Sequence, residues 1–282
     1  SISSDGRVTL WTMSKNELQY TDVMELKLTG IANSAAEEQA GEETSLVGLA
    51  GGMCFDFHST SEHLFIVGTE EGKIHKCSKA YNSQYLETYN GHYMSVYGVK
   101  WNKFHPRVYL SASADWTVKL WDHTQKQPLM SFDLGNAVGD VCWSPYSSSV
   151  FAAVTNDGKV HIFDLAENKH EPMCDQKVVR KSKLTHATFN PKEPLLLVGD
   201  DRGGVLCLKM SPNLRKTEEI RAKEKQAQAA AAAGADQARK PPPRKKAAEG
   251  DAATGEEKVK TPAELEVEKL DKLLGLSDKA VR

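Results

Sequence analysis

His92, Ser113 and Asp115 are the residue types of a hydrolase triad: a hydroxyl to attack, an imidazole to take its proton and a carboxylate to orient the imidazole. Residue types alone do not make that chemistry. The serine must be exposed, and N–H groups must face the oxyanion it creates. Ser113 and Asp115 lie two residues apart at what reads as a strand end, and the chain contains no G-x-S-x-G elbow. It also lacks a G-x-x-x-x-G-K-[ST] loop and an H-E-x-x-H helix, and residues 68–73 have the wrong spacing for a phosphate loop. The three residues are therefore expected to be structural, and the sequence assigns no catalytic residue, cofactor or metal.

What positions them is a repeat. A short strand, a tight Asp-Gly-like turn, an alternating strand and an apolar or aromatic anchor recur at 4–11, 70–77, 114–122, 156–164 and 201–208. The anchors Trp11, Cys77, Trp121, Phe163 and Leu208 are spaced by 66, 44, 42 and 45 residues. A period of about 40–45 residues with four strands per unit belongs to propeller blades. The long first interval holds a loop insertion at about residues 30–50, whose Glu37, Glu38, Glu42 and Glu43 read as a solvated face. An inner strand precedes each later turn, at 53–57, 96–101, 138–143 and 185–189; Pro106, Pro145 and Pro191 end three of them, since proline cannot donate to a ladder. Residues 1–210 thus read as all-β propeller blades. The chain opens at a tight turn, and its last blade stops at three strands near Lys209 and Met210. Propellers close by pairing strands from both chain ends. Upstream blades are expected, making seven in the full chain, with a closed four-blade ring as the alternative.

Composition is that of a globular chain, 40% hydrophobic and 26% charged, with a net charge of −2 that attracts neither nucleic acid nor anionic membrane. No apolar run reaches the ~18 residues of a membrane span. Cys54, Cys77, Cys142, Cys174 and Cys207 form no C-x-x-C pair and read as reduced core residues of an intracellular protein.

The unit with Gly91-His92, Ser113-Ala114-Asp115 and Trp121-Asp122 resembles the WD-repeat family. That resemblance implies a buried hydrogen-bonded tetrad of His92, Ser113, Asp115 and Trp121. The other units lack a second Gly-His and replace Trp by Cys77, Phe163 and Leu208, so apolar packing should hold them. Residues 75–93 and 99–123 are similar to the axonemal dynein intermediate chains, in particular the larger type of the ciliary outer arm. This implies a non-catalytic scaffold of the axoneme, in cytoplasm and cilium or flagellum. Its propeller would bind a dynein heavy-chain tail beside a second intermediate chain. Light chains would bind upstream, and the arm would be anchored on doublet microtubules, with tubulin a further possible contact. A WD-repeat adaptor of another complex is the alternative.

Trp116 stands where other repeats place Gly in the tight turn, so an exposed indole is expected there as a partner contact, with Tyr93 nearby. Beyond residue 210 the composition changes. Residues 211–260 read as an Ala/Lys/Pro-rich linker and helix, including the basic, proline-stiffened stretch 239–246. Residues 261–275 read as a short amphipathic helix. It opens with the capping box Thr261-Pro262-Ala263-Glu264, carries Val267, Leu270 and Leu274 on one stripe, and ends at Gly275. That stripe either meets a partner or folds back on the propeller.

Overall fold

The structure, a computed structural model, describes residues 1–15, 17–28, 48–215 and 261–276. Period-two alternation of apolar residues, punctuated by Asp-Gly-type turns, cuts the chain into short strands. β1 (Arg7–Ser14) and β2 (Glu17–Glu25) form an antiparallel hairpin. The second blade is β3 (Gly52–Phe57), β4 (Leu64–Thr69), β5 (Lys73–Ser78) and β6 (Glu87–Asn90). The third is β7 (Val96–Trp101), β8 (Val108–Ser113), β9 (Thr117–Asp122) and β10 (Met130–Asp133). The fourth is β11 (Val138–Trp143), β12 (Val150–Thr155), β13 (Lys159–Asp164) and β14 (Cys174–Lys177). The fifth has β15 (Leu184–Phe189), β16 (Leu195–Asp200) and β17 (Val205–Lys209). A 3₁₀ turn (Pro212–Arg215) and the helix α1 (Pro262–Leu274) complete the described elements. The 30–50 insertion lies almost wholly outside the described residues, as do 216–260 with the basic proline stretch.

Every sheet is an antiparallel meander in which consecutive strands are neighbours. The inner strands β3, β7, β11 and β15 stand side by side, each with a register shift near its start. Such bulges raise local twist and re-aim side chains. Two aspartates join inner strands that share no ladder. Asp56 Oδ2 accepts from the Trp101 amide at 2.7 Å, and Asp140 Oδ2 accepts from the Ala187 amide at 3.1 Å.

The core lies between sheets rather than within them. One cluster packs Val108, Leu110 and Leu120 of the third blade on Val141, Trp143 and Phe151 of the fourth. Others fill the seams on either side, and Met24 and Leu26 seal the hairpin against Phe65 and Val67. The expectation that all five cysteines are core residues needs correction. Cys77 and Cys142 are buried and Cys54 is half-buried, but Cys174 and Cys207 are exposed. They sit on β14 and β17, outermost strands with few neighbours to cover them.

Candidate functional site

The third blade holds a chain of four polar side chains. His92, in the loop before β7, places Nδ1 2.9 Å from Asp115 Oδ2 and Nε2 2.6 Å from Ser111 Oγ. Trp121 donates its indole N–H to the same Ser111 oxygen at 2.8 Å. The serine of the tetrad is therefore Ser111, and the expectation of Ser113 is corrected. The reason is depth along β8. Ser113 lies at the level of the turn, where its hydroxyl donates to Met94 O at 3.0 Å and accepts the Asp115 amide at 3.1 Å. Ser111 lies two residues further in, where the indole can reach it. Gly91 is required beside His92 because a Cβ there would collide with the Trp121 ring.

Burial alone would raise the Asp115 carboxyl, but hydrogen bonds from His92 and Thr117 outweigh it and hold the group well below the usual carboxylate range. Ser111, His92 and Asp115 have the connectivity of a hydrolase triad, yet Ser111 is 0% exposed and its oxygen already accepts from Trp121. A nucleophile sealed in this way meets no substrate. Among the described residues no group of His, Cys, Asp and Glu is arranged to hold a metal, and no helix is long and apolar enough to cross a membrane.

The tetrad also clamps two surface loops together. Asp115 accepts from the Tyr93 amide at 3.2 Å and from the Thr117 amide at 3.1 Å, fixing the turn around Trp116. Trp116 has φ +74°, matching the +80° to +85° of Gly6, Gly72, Gly158 and Gly203 in the other repeats. A side chain in that region costs roughly 1–2 kcal/mol. The indole is 53% exposed, with Met94 at 54% and Tyr93 at 92% on the facing loop. The three form an apolar tip on a rigid base.

The helix stripe goes elsewhere. Leu270 is 0% exposed within the cluster joining the third and fourth blades, and Leu273 and Leu274 pack against it. Leu270 is thus withdrawn as a partner contact: the seam between two blades offers it apolar burial within its own chain. Val267 and Leu274 are half-buried.

The WD40 family, described as WD domain, G-beta repeat, matches residues 83–122 and 126–164. Each match joins the outer strand of one blade to the three inner strands of the next. The chain is 62% identical over 219 residues to dynein intermediate chain 2, ciliary, of Heliocidaris crassispina. It is 52% identical over 221 residues to the 78 kDa intermediate chain of the flagellar outer arm dynein of Chlamydomonas reinhardtii. It is 50% identical over 218 residues to dynein axonemal intermediate chain 1 of Bos taurus. The chain belongs to the axonemal dynein intermediate chains. Each alignment takes in 77% of the chain and 30%, 32% and 30% of these relatives, so the chain spans about a third of their length.

In this dynein intermediate chain several positioning residues escape sequence reasoning. Arg107 Nη2 lies 2.5 Å from Asp122, the aspartate of the Trp121-Asp122 pair, across one edge of the third blade. Asp56 and Asp140 act between blades, where no local pattern marks them. Glu266 meets the Ser148 amide at 2.7 Å across more than a hundred residues of chain. Only Asp122 carries a readable signal, as the end of the one complete repeat, Trp121-Asp122.

Proposed function

We propose that this chain serves as a non-catalytic scaffold of a ciliary or flagellar outer-arm dynein, its propeller binding the heavy-chain tail and helping to assemble and anchor the arm on doublet microtubules. The observation that carries the proposal is 50–62% identity to ciliary, flagellar and axonemal intermediate chains over the region that forms the blades. A second intermediate chain and, through upstream sequence, light chains complete the expected partners. The physical support is the tip formed by Trp116, Tyr93 and Met94. The blades hold it on a rigid base, so little ordering entropy opposes its burial by a partner. An aromatic side chain kept in a strained turn and left 53% exposed gains little from its own fold and has apolar surface to offer a partner.

The test measures binding of the full chain to the N-terminal tail of an outer-arm dynein heavy chain, comparing wild type with Trp116→Gly. Glycine accepts φ +74° without strain, so this variant removes the indole and spares the turn. Binding weakened about tenfold or more with the fold intact supports the proposal and locates the contact. A folded wild-type chain that ignores the heavy-chain tail sinks it.

A further inference from the structure

α1 lies against the loops that link strands at one end of the third and fourth blades. The groove there is read by polar groups as well as filled by apolar ones. Glu266, 4% exposed, receives the Ser148 amide at 2.7 Å and the Ser148 hydroxyl at 2.8 Å. Lys269 donates to Ser147 Oγ at 2.9 Å, and His105 Nε2 lies 3.0 Å from Asp271 Oδ1. Lys169 donates to the carbonyl of Leu273 at the helix end. Three separate segments, at 105, 147–148 and 169, thus recognise one helix.

The helix carries its own start and stop signals. Thr261 and Glu264 make a reciprocal capping box, Pro262 starts the helix, and Gly275 closes it at φ +66° with its N–H on Asp271 O. The docking has a cost as well. Glu266 Oε1 is buried without a hydrogen-bond partner among the described residues. Its Oε2 takes both Ser148 donors and lies 3.7 Å from Lys269 Nζ, so an apolar side chain at that position would strand buried donors and be rejected. On release, the serines and His105 meet water without penalty.

We propose that this groove is a helix-recognition site, selective for a helix bearing a carboxylate, then a leucine four residues later followed by a second carboxylate, and that α1 is its removable occupant. Glu266, Leu270 and Asp271 are the residues read. The site closes a strap over the seam between two blades and opens when the helix leaves.

The test uses the full chain carrying Leu270→Asp or, separately, Glu266→Lys, and a fluorescent synthetic peptide of residues 261–276. Both variants should keep the strand content of the blades, and the amides of residues 147–149 should exchange hydrogen about tenfold faster. Both should bind the peptide, whereas the wild-type chain, its groove filled, should bind it about tenfold more weakly. Adding Ser148→Val to the receiver, or Glu266→Lys to the peptide, should remove binding. Loss of the blades in both release variants would make α1 an inseparable part of the core and overturn the proposal. So would a folded release variant that ignores the peptide, or one that binds wild-type and Glu266→Lys peptides alike.

Discussion

The third and fourth blades do the same job with different chemistry. In the third, Trp121 stacks on Tyr109 with centroids 5.9 Å apart and spends its N–H on Ser111, which His92 and Asp115 hold from the other side. In the fourth, Phe163 stacks on Phe151 at 4.7 Å, and Ala153 stands where Ser111 stands. Pairing registers match, since Tyr109 faces Trp121 as Phe151 faces Phe163. A polar network is therefore not needed to build a blade. What it adds is a hydrogen-bonded coupling of two loops: Asp115 holds both the Tyr93 loop and the Trp116 turn. The fourth blade has glycine at that turn, Gly158, and no aromatic side chain to present there.

Four measurements would sharpen or break this comparison. The largest effect is expected from removing the stacked anchors. Trp121→Ala and Phe163→Ala should each cost about 3–5 kcal/mol in urea denaturation. A much smaller loss for Phe163 would mean that its blade leans on its neighbours.

Next, Ser111→Ala should cost about 1–3 kcal/mol, because His92 and Trp121 lose a partner in a buried site. Ser113→Ala should cost less, as its bonds to Met94 O and from the Asp115 amide lie beside the turn and not beneath the indole. The reverse order would restore Ser113 to the tetrad.

Acid should act in two phases, one through buried histidines of the second and third blades and one through the tetrad of the third. Asp115 titrates below its ordinary 3.8 in the fold, so the unfolded chain takes up its proton first as pH falls. The tetrad's stabilisation is present above about pH 4 and is lost as pH falls below it. His75 and His123 are pushed by burial from 6.5 to about 4, with neighbouring lysines adding to the shift. The unfolded chain binds protons there that the fold refuses, so stability should already decline between pH 6.5 and 4. Urea midpoints at pH 7, 5 and 3 would show both phases. A flat profile to pH 4 would contradict the histidine contribution.

The smallest effect is Trp116→Gly, expected to raise stability by about 1 kcal/mol as strain is released. A fall in thermal midpoint would show that the indole supports its own blade and has no need of a partner.

Much of this was legible in the residues. Recurrence of the turn and anchor located four full or partial blades and the hairpin, because each turn is a local event and each strand needs only its own alternation. The wide stripe of Val267, Leu270 and Leu274 announced a helix, and Thr261 to Glu264 announced its start. Three of the four tetrad members, His92, Asp115 and Trp121, are legible in the sequence, whereas Ser113 fits the local pattern as well as Ser111 does. Both serines lie on the same face of β8, and only the reach of the indole distinguishes them.

The sequence by itself determined the local elements and the turn that forces Trp116 into a left-handed conformation. These depend on spacing and backbone preference within a few residues. Tertiary structure alone decided which serine closes the tetrad, which aspartates bridge blades, and where α1 lands. Each of those rests on groups brought together from distant segments. Asp140 meets Ala187, and Glu266 meets Ser148, only because the blades stand side by side and burial leaves these polar groups no water to turn to.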